Sequence, residues 1–278
     1  MAVVVGWNAR TTERLGSKTA FVADLVPGNR KLAEFSIQLA NTPGALVEVA
    51  SILSKHKVNV LTGFHDSEQW SFFADVTGIE SSVEDIAKDI SSLSPVSKVS
   101  TSEGVTEGII VDSLHQQLKW GPFRSIIIQA DVMSSIVNRI KGIFGPEGKA
   151  GKAVVFGTGE AAGRTAFKGI AAQLDEKVVR THMKDLITLY KAQGWGDFKL
   201  GSLDLDNTTA SVQVLNSFEC AHLEGAGSPS SDSTCDFVRG HLTGLLSEVF
   251  GKRVDVTETL CAAHGHSHCQ FDVQAAKQ

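Results

Sequence analysis

The chain has 278 residues, of which 42% are hydrophobic and 21% are charged, and its net charge is −5. This composition is typical of a soluble globular protein long enough for two domains, and it excludes the basic surface that nucleic acid or an anionic membrane would require. Apolar runs such as residues 125–130 are far shorter than the roughly 20 residues that span a bilayer, and no apolar signal-peptide region follows the first methionine. We therefore expect a cytoplasmic protein.

Residues 31–105 carry the pattern of a small domain with a βαββαβ element order, preceded by an extension over residues 1–30 that has room for one short strand. The first predicted strand alternates apolar residues with polar ones, as a half-buried strand does; the apolar set is Ala33, Phe35, Ile37 and Leu39, and the polar set is Glu34, Ser36 and Gln38. Asn41-Thr42-Pro43 then supplies a turn, an N-cap candidate and a proline suited to a first helical turn. Two strands over 58–62 and 70–76, a helix over 82–92 and a strand over 96–99 complete a ferredoxin-like plait with both helices on one face.

The βαββαβ order and the turn between its first strand and helix resemble the ACT family of small-molecule regulatory domains. The turn residues are Asn41, Thr42, Pro43, Gly44, Ala45 and Leu46. The resemblance implies that an amino acid binds at this turn, where two copies of the domain pair. A glycine without Cβ and free N–H groups at a helix start would suit its carboxylate. A tight turn without a ligand is the alternative, and the exposed edge strand could serve dimerisation alone.

The remaining chain, residues 106–278, predicts a larger mixed α/β domain, so the fold class is α+β. A connector covers about 102–112, and helices are predicted over 112–118, 133–144, 153–174 and 178–193. Strands over 198–205 and 210–218 precede a loop rich in Gly, Ser and Pro at 225–234 and a helix over 235–250. Residues 254–263 and 269–273 then form a β-hairpin.

This second half resembles the 4-vinyl reductase domain family, related in fold to trafficking-complex subunits. The matching segments are Asn216-Ser217-Phe218-Glu219-Cys220, then Cys235 before an apolar helix, then Glu258-Thr259-Leu260-Cys261 and Gly265-His266-Ser267-His268-Cys269-Gln270-Phe271. In sensors of aromatic compounds this domain holds a zinc ion through three cysteines and one glutamate. The resemblance therefore implies a zinc site at Cys235, Glu258, Cys261 and Cys269.

Zinc chemistry agrees with this spacing. Cys261 and Cys269 would lie opposite each other across the hairpin, and Cys235 would lie at a helix start that favours a thiolate. Cys261 follows Glu258 by three residues, so on a regular strand their side chains would point to opposite faces of the sheet. The site therefore requires a bulge between them. A cross-strand disulfide and buried free thiols are the alternatives. Four protein ligands would make the site closed and structural rather than hydrolytic. The flanking histidines His264, His266 and His268 could compete as ligands, while Cys220 is interpreted as a core thiol.

In the aromatic sensors a hydrophobic ligand lies between the helices and the sheet. The corresponding candidates are Met183, Leu186, Trp195, Val214 and Phe218, whose apolar character equally suits a core. Residues 212–215 lack the tryptophan that those sensors carry, which argues against phenol as the ligand. His182 and Tyr190 could direct a polar group into the pocket, although a core or surface role is the simpler interpretation.

These observations favour a ligand-responsive regulatory protein, a homodimer whose output passes through a partner protein. The family name suggests an alternative as a reductase or accessory enzyme of pigment metabolism. However, Gly157-Thr158-Gly159-Glu160-Ala161-Ala162-Gly163 misses the dinucleotide-binding spacing by one residue, and no catalytic constellation is apparent. A structural tether is the third hypothesis.

Overall fold

The structure is a computed structural model that describes residues 23–25, 28–66, 68–104, 107–115, 118–120, 123–143, 149–220 and 235–277. Most of the predicted N-terminal extension and the predicted loop at 225–234 lie outside these residues. The chain divides into two compact units, residues 1–127 and 128–278. No helix among the described residues has the length and hydropathy needed to cross a membrane.

The first unit contains the predicted βαββαβ order. Its elements are β1 (Ala23–Leu25), β2 (Leu32–Leu39), α1 (Ala45–Lys55), β3 (Asn59–His65), β4 (Gln69–Asp75), α2 (Val83–Ser91), β5 (Val96–Glu103), β6 (Ile109–Val111), β7 (Lys119–Trp120) and β8 (Phe123–Arg124). An antiparallel sheet has the order β3-β4-β2-β5, while β1 pairs with β6 and β7 with β8. The main core of this unit lies where α1 and α2 pack on the sheet face formed by Ala33, Phe35, Ile37, Phe72 and Ala74.

The prediction that β2 is half-buried was wrong, because both of its faces are covered. Glu34 and Ser36 are as buried as their apolar neighbours. Residues 109–115 cover this second face: Ile110 packs in a small core with Leu32 and Phe73. The helix predicted over 112–118 was also wrong, since residues 112–115 and 118 are not helical. Their backbone instead supplies contacts to the sheet, including the Ser113 N–H that donates to Glu34 at 3.0 Å.

The start of α1 also differs from the prediction. Gly44, with φ of 94°, is the N-cap, and no side chain caps the helix. Asn41 and Thr42 therefore do not cap it, and Pro43 precedes it rather than occupying its first turn. By contrast, Ser82 and Asp85 form a complete capping box at α2.

The second unit has a four-stranded antiparallel sheet and two long packed helices. Its elements are α3 (Ala130–Ile143), α4 (Lys149–Leu174), α5 (Glu176–Thr181), α6 (Met183–Leu186), α7 (Leu189–Ala192), β9 (Asp197–Asp204), β10 (Thr209–Leu215), α8 (Asp236–Phe250), β11 (Val254–Leu260), a 3-10 turn (Ala262–His264) and β12 (Cys269–Ala275). The sheet order is β11-β12-β10-β9. Helix α8 is buried along nearly its whole length, as expected for a central helix that is apolar on most sides.

The single helix predicted over 178–193 is instead the three short helices α5, α6 and α7. The N–H groups of Asp185, Thr188 and Lys191 bond three residues back rather than four, which tightens these turns. The Thr188 hydroxyl also donates to the Asp185 carbonyl at 2.6 Å and competes with the helical ladder.

Candidate functional site

Five side chains of the second unit converge on one buried point, which we call the thiol cluster: Cys220, Cys235, Glu258, Cys261 and Cys269. One donor atom from each lies within 4.8 Å of all the others. The four cysteines are free thiols and are nearly inaccessible to solvent. Four of these residues are the predicted set, and Cys220, which the sequence interpretation placed in the core, joins them.

Local backbone geometry explains how these residues meet. Cys235 is the N-cap of α8, and Cys269 is the first residue of β12. The pairing of β11 with β12 shifts register between Glu258 and Leu260, which is the predicted irregularity. Because Leu260 pairs with Gln270, the next residues along the two strands, Cys261 and Cys269, face each other.

The sulfur separations can be compared with those around a metal ion. A tetrahedral zinc with Zn–S distances of about 2.3 Å places its sulfurs about 3.8 Å apart. The Sγ atoms of Cys235 and Cys269 are 3.7 Å apart, whereas those of Cys220 and Cys235 are only 2.6 Å apart. The donor set therefore fits a soft metal such as zinc, with one more donor than four-coordination needs.

The thiols strongly perturb one another. Hydrogen bonds with Cys220, then with Cys261 and Cys269, raise the pKa of Cys235, and burial adds to the rise. Hydrogen bonds from Cys220, Cys235 and Cys269 lower the pKa of Cys261. Cys235 and Cys261 thus do not titrate independently of each other. A bound cation would favour the deprotonated form of every ligand, because cysteines bind metals as thiolates.

The segment before Cys220 anchors the start of α8. Glu219 is buried, and its carboxylate accepts the N–H groups of Phe237 at 3.1 Å and Val238 at 3.0 Å. Lys141 donates to the same carboxylate at 2.8 Å. Burial raises the pKa of Glu219, opposed by Lys141 and by the two N–H donors. This capping holds Cys235 in position at the helix start.

The three histidines of the hairpin turn lie outside the thiol cluster. His266 is exposed, and His264 and His268 are partly exposed. Among the described residues, the donor atoms that converge within 4.8 Å include none from these histidines.

All five predicted pocket residues lie in or against one core. Met183, Val214 and Phe218 are buried, while Leu186 and Trp195 are partly buried and pack against them. Aromatic rings gather around Trp195, with centroid distances of 4.8 Å to His241, 5.3 Å to Tyr190 and 5.7 Å to Phe218. We call this set, with Phe198 and Phe237, the aromatic cluster.

His241, which the sequence interpretation missed, is the polar centre of the aromatic cluster. Its Nε2 lies 2.6 Å from the Tyr190 hydroxyl. Its Nδ1 is buried and has no hydrogen-bond partner among the described residues. Burial lowers the pKa of His241 to about 4, so the imidazole is neutral at pH 7, and burial also raises the pKa of Tyr190. His182, the other histidine considered, is exposed.

The predicted ACT turn lies on the surface of the first unit. Asn41, Thr42, Pro43 and Gly44 are exposed, whereas Ala45 is buried. The first unit also contains a polar group missed in the sequence: Glu34, Asp112 and His115 offer donor atoms within 4.8 Å of one another. No spacing signal connects Glu34 with residues so distant in the chain.

A comparison with protein-family models identifies the segment that carries the thiol cluster. The model described as "V4R domain" matches residues 210–275. All five residues of the thiol cluster lie within this V4R segment. The ring of His241 lies within it as well, on helix α8.

Individual relatives of the chain are distant. An uncharacterized protein of Methanocaldococcus jannaschii is 27% identical over 103 residues, which is 37% of this chain and 58% of the relative. The chain therefore spans little more than half the length of that relative. A solved phenol-responsive sensory domain of the transcription activator PoxR is 16% identical, with a TM-score of 0.47 over 57% of this chain and 80% of that one. A vinyl-4-reductase family protein from M. jannaschii is 19% identical, with a TM-score of 0.35 over 55% of this chain and 85% of that one.

Proposed function

We propose that the chain is a ligand-responsive regulatory protein whose V4R segment binds a small neutral apolar or aromatic molecule. The observation that carries this proposal is the unpartnered Nδ1 of His241 inside the aromatic cluster. A buried polar atom without a partner costs free energy, and a ligand hydroxyl, carbonyl or N–H group would satisfy it. Because His241 is neutral, it has no charge with which to pair a carboxylate ligand in this apolar site.

Trp195 is the residue that would admit the ligand. It lies between Gly194, with φ of 78°, and Gly196, with φ of 142°, and it is the partly exposed ring over His241. The two flanking glycines adopt conformations that other residues rarely adopt, and this allows the tight turn that carries Trp195. Displacement of the indole ring would open a path to the imidazole.

A zinc ion held by Cys235, Glu258, Cys261 and Cys269 would brace this domain. Cys235 is preferred over Cys220 because the N-terminus of α8 stabilises its thiolate and because its backbone N–H donates to Glu258 at 3.2 Å. When bound, the metal supplies a crosslink between the start of α8 and the β11–β12 hairpin. Such a closed set leaves no open coordination position for hydrolysis, so the proposal assigns no enzymatic activity to it.

The first unit would serve as an ACT-type module that forms a homodimer. Strand β3 is an edge of the sheet and is exposed or partly exposed along its whole length, and it carries the exposed apolar side chains of Val60 and Phe64. An open edge with apolar side chains is a ready pairing surface for a second copy. An amino acid at residues 41–45 and a protein output partner complete the proposal.

Thermal unfolding with candidate ligands tests the sensor proposal. We expect at least one neutral compound in a panel of indoles, aromatic alcohols and aliphatic alcohols to raise the melting temperature of the full chain. At a concentration near 100 times Kd the gain is about 2.7 kcal/mol, which corresponds to about 5–10 °C for a domain of this size.

Variants locate the binding site. His241→Phe should lose the ligand-induced shift measured from its own baseline, because the polar partner is gone. His182→Phe, at an exposed position, should keep it. If no compound shifts the wild-type protein, the sensor proposal fails and a tethering role is favoured.

A further inference from the structure

A second group of metal-ligating side chains lies in the first unit, remote in sequence from the V4R segment. Glu34 on β2, Asp112 and His115 converge on the sheet face opposite α1 and α2. The side chains of Glu34 and His115 are 0% and 2% exposed, and that of Asp112 is 13% exposed. We call these three residues the carboxylate–imidazole cluster.

The separations within this cluster match those of ligands around one cation. His115 Nδ1 lies 2.9 Å from Asp112 Oδ1, 3.0 Å from Asp112 Oδ2 and 3.7 Å from Glu34 Oε1. A metal–ligand distance of about 2.1 Å gives ligand separations of about 3.0 Å at right angles and about 3.4 Å at tetrahedral angles. Small adjustments would therefore bring all three atoms onto one ion.

The unpartnered atoms of this region point to a missing ligand. Glu34 Oε1 is buried, faces His115 and has no hydrogen-bond partner among the described residues. The other oxygen of Glu34 is occupied by the Ser113 N–H. A carboxylate oxygen buried in this way is costly unless a proton or a cation satisfies it.

The surroundings of His115 also suit coordination through Nδ1. His115 Nε2 lies 2.8 Å from Gln69 Nε2, while Gln69 Oε1 is buried and has no partner among the described residues. A metal on Nδ1 places the ring proton on Nε2, and rotation of the Gln69 amide then provides its acceptor. A hydrogen-bonded second nitrogen is the usual arrangement for a metal-ligating histidine.

We propose that Glu34, Asp112 and His115 bind a divalent transition-metal cation, independently of the zinc and ligand sites of the V4R segment. Two carboxylates and one imidazole form a harder donor set than the thiol cluster, so the two sites would select different metals. Mn²⁺ suits the carboxylate-rich set and competes poorly for thiolates. The partial exposure of Asp112 leaves room for water to complete the coordination shell.

The competing arrangement needs no metal, because a proton shared between Glu34 and Asp112 would also satisfy the buried oxygen. Burial and the Asp112 carboxylate raise the pKa of Glu34 to about 8, so Glu34 holds this proton at neutral pH when no cation is bound. The two arrangements differ in metal uptake, which can be measured directly.

Titration of the zinc-loaded full chain with Mn²⁺, followed by the electron paramagnetic resonance signal of the free ion, tests the proposal. We expect one Mn²⁺ per chain for the wild-type protein and affinity at least about 10-fold weaker for Glu34→Gln and Asp112→Asn. The exposed Glu48→Gln variant is the matched control and should bind as the wild type does. Mn²⁺ should also raise the melting temperature of the wild type but not that of Glu34→Gln, whose cooperative unfolding verifies its fold.

Two results would overturn the proposal. The first is wild-type binding no stronger than that of Glu34→Gln, which would favour the shared proton. The second is Mn²⁺ uptake that disappears in a Cys261→Ala protein that still unfolds cooperatively, which would place the ion in the thiol cluster. Neither result bears on ligand binding at His241.

Discussion

The two units of the chain each bury a group of metal-ligating side chains, but the two groups differ in which elements of their unit they connect. The thiol cluster joins a turn after β10, the start of α8 and both strands of the terminal hairpin. The carboxylate–imidazole cluster joins β2, through Glu34, to the segment at 109–115, and the sheet that contains β2 is already paired through its own backbone. We therefore expect the first group to be structural for its unit and the second to be dispensable for the folding of its sheet.

The largest effect expected from this contrast concerns the thiol cluster. Cys261→Ala should abolish zinc binding and lower the free energy of unfolding by several kcal/mol, because metal binding is coupled to folding. Glu34→Gln in the first unit should change the free energy of unfolding by about 1 kcal/mol or less. Metal analysis of the purified proteins and denaturant unfolding measure both quantities.

Cys220→Ala is the matched control within the thiol cluster. Like Cys261→Ala, it removes one buried thiol, but it leaves the four proposed ligands in place. One zinc per chain should therefore remain. Zinc loss in Cys220→Ala with retention in Glu258→Gln would contradict the proposed ligand set. Full zinc content and unchanged unfolding of Cys261→Ala would contradict the structural role altogether.

Among the described residues, each unit also buries one histidine, and the partners of the two differ. His115 contacts the Asp112 carboxylate, whereas the described partners of His241 are a neutral hydroxyl and aromatic rings. The pKa of His241 is lowered from 6.5 to about 4 in the folded chain. Between pH 6.5 and pH 4 the unfolded chain binds more protons at His241 than the folded chain does. The free energy of unfolding is therefore highest above pH 6.5, where His241 is neutral in both states, and it declines as the pH falls towards 4.

Denaturant unfolding across this pH range measures the effect. The loss attributable to His241 is up to about 3 kcal/mol, at 1.36 kcal/mol per pKa unit. His241→Phe should lose this part of the pH dependence, while the exposed His182→Phe should retain it. Equal slopes for the two variants would show that His241 is not kept neutral by burial. Acid effects on the thiol cluster are common to both variants and cancel in this comparison.

Parts of the site could be predicted from the sequence because they depend on local chain geometry. The facing of Cys261 and Cys269 and the bulge after Glu258 follow from strand alternation around one hairpin. The βαββαβ order follows from apolar periodicity. Cys220 could not be assigned in the same way, because it lies outside the hairpin and no local spacing rule connects the turn after β10 with Cys235 at the start of α8.

The carboxylate–imidazole cluster was inaccessible to sequence reasoning for a related physical cause. Alternation on β2 predicted that Glu34 faces solvent, but alternation identifies only which residues share a face. It does not reveal that a later segment covers that face. That later segment is 109–115, and part of it was predicted to be helical. The prediction rested on local spacing alone, which does not take account of the hydrogen bonds that the sheet and Glu34 offer to this segment.

A smaller effect than that of Cys261→Ala concerns the helix pair that carries His241, for which the first unit has no counterpart among its described elements. A Cβ on Gly163 of α4 would overlap the backbone carbonyl oxygen of His241 on α8. The backbones of the two helices are therefore in direct contact at this position. Gly163→Ala should therefore cost about 1–3 kcal/mol of overpacking and weaken ligand-induced stabilisation by displacing His241. Gly157→Ala on the same helix, where a Cβ would meet nothing within 4 Å, should instead stabilise the protein by about 0.5–1 kcal/mol, because alanine is the better helix former. Equal changes in thermal unfolding for the two variants would mean that the helix contact is looser than described and that His241 is not held by it.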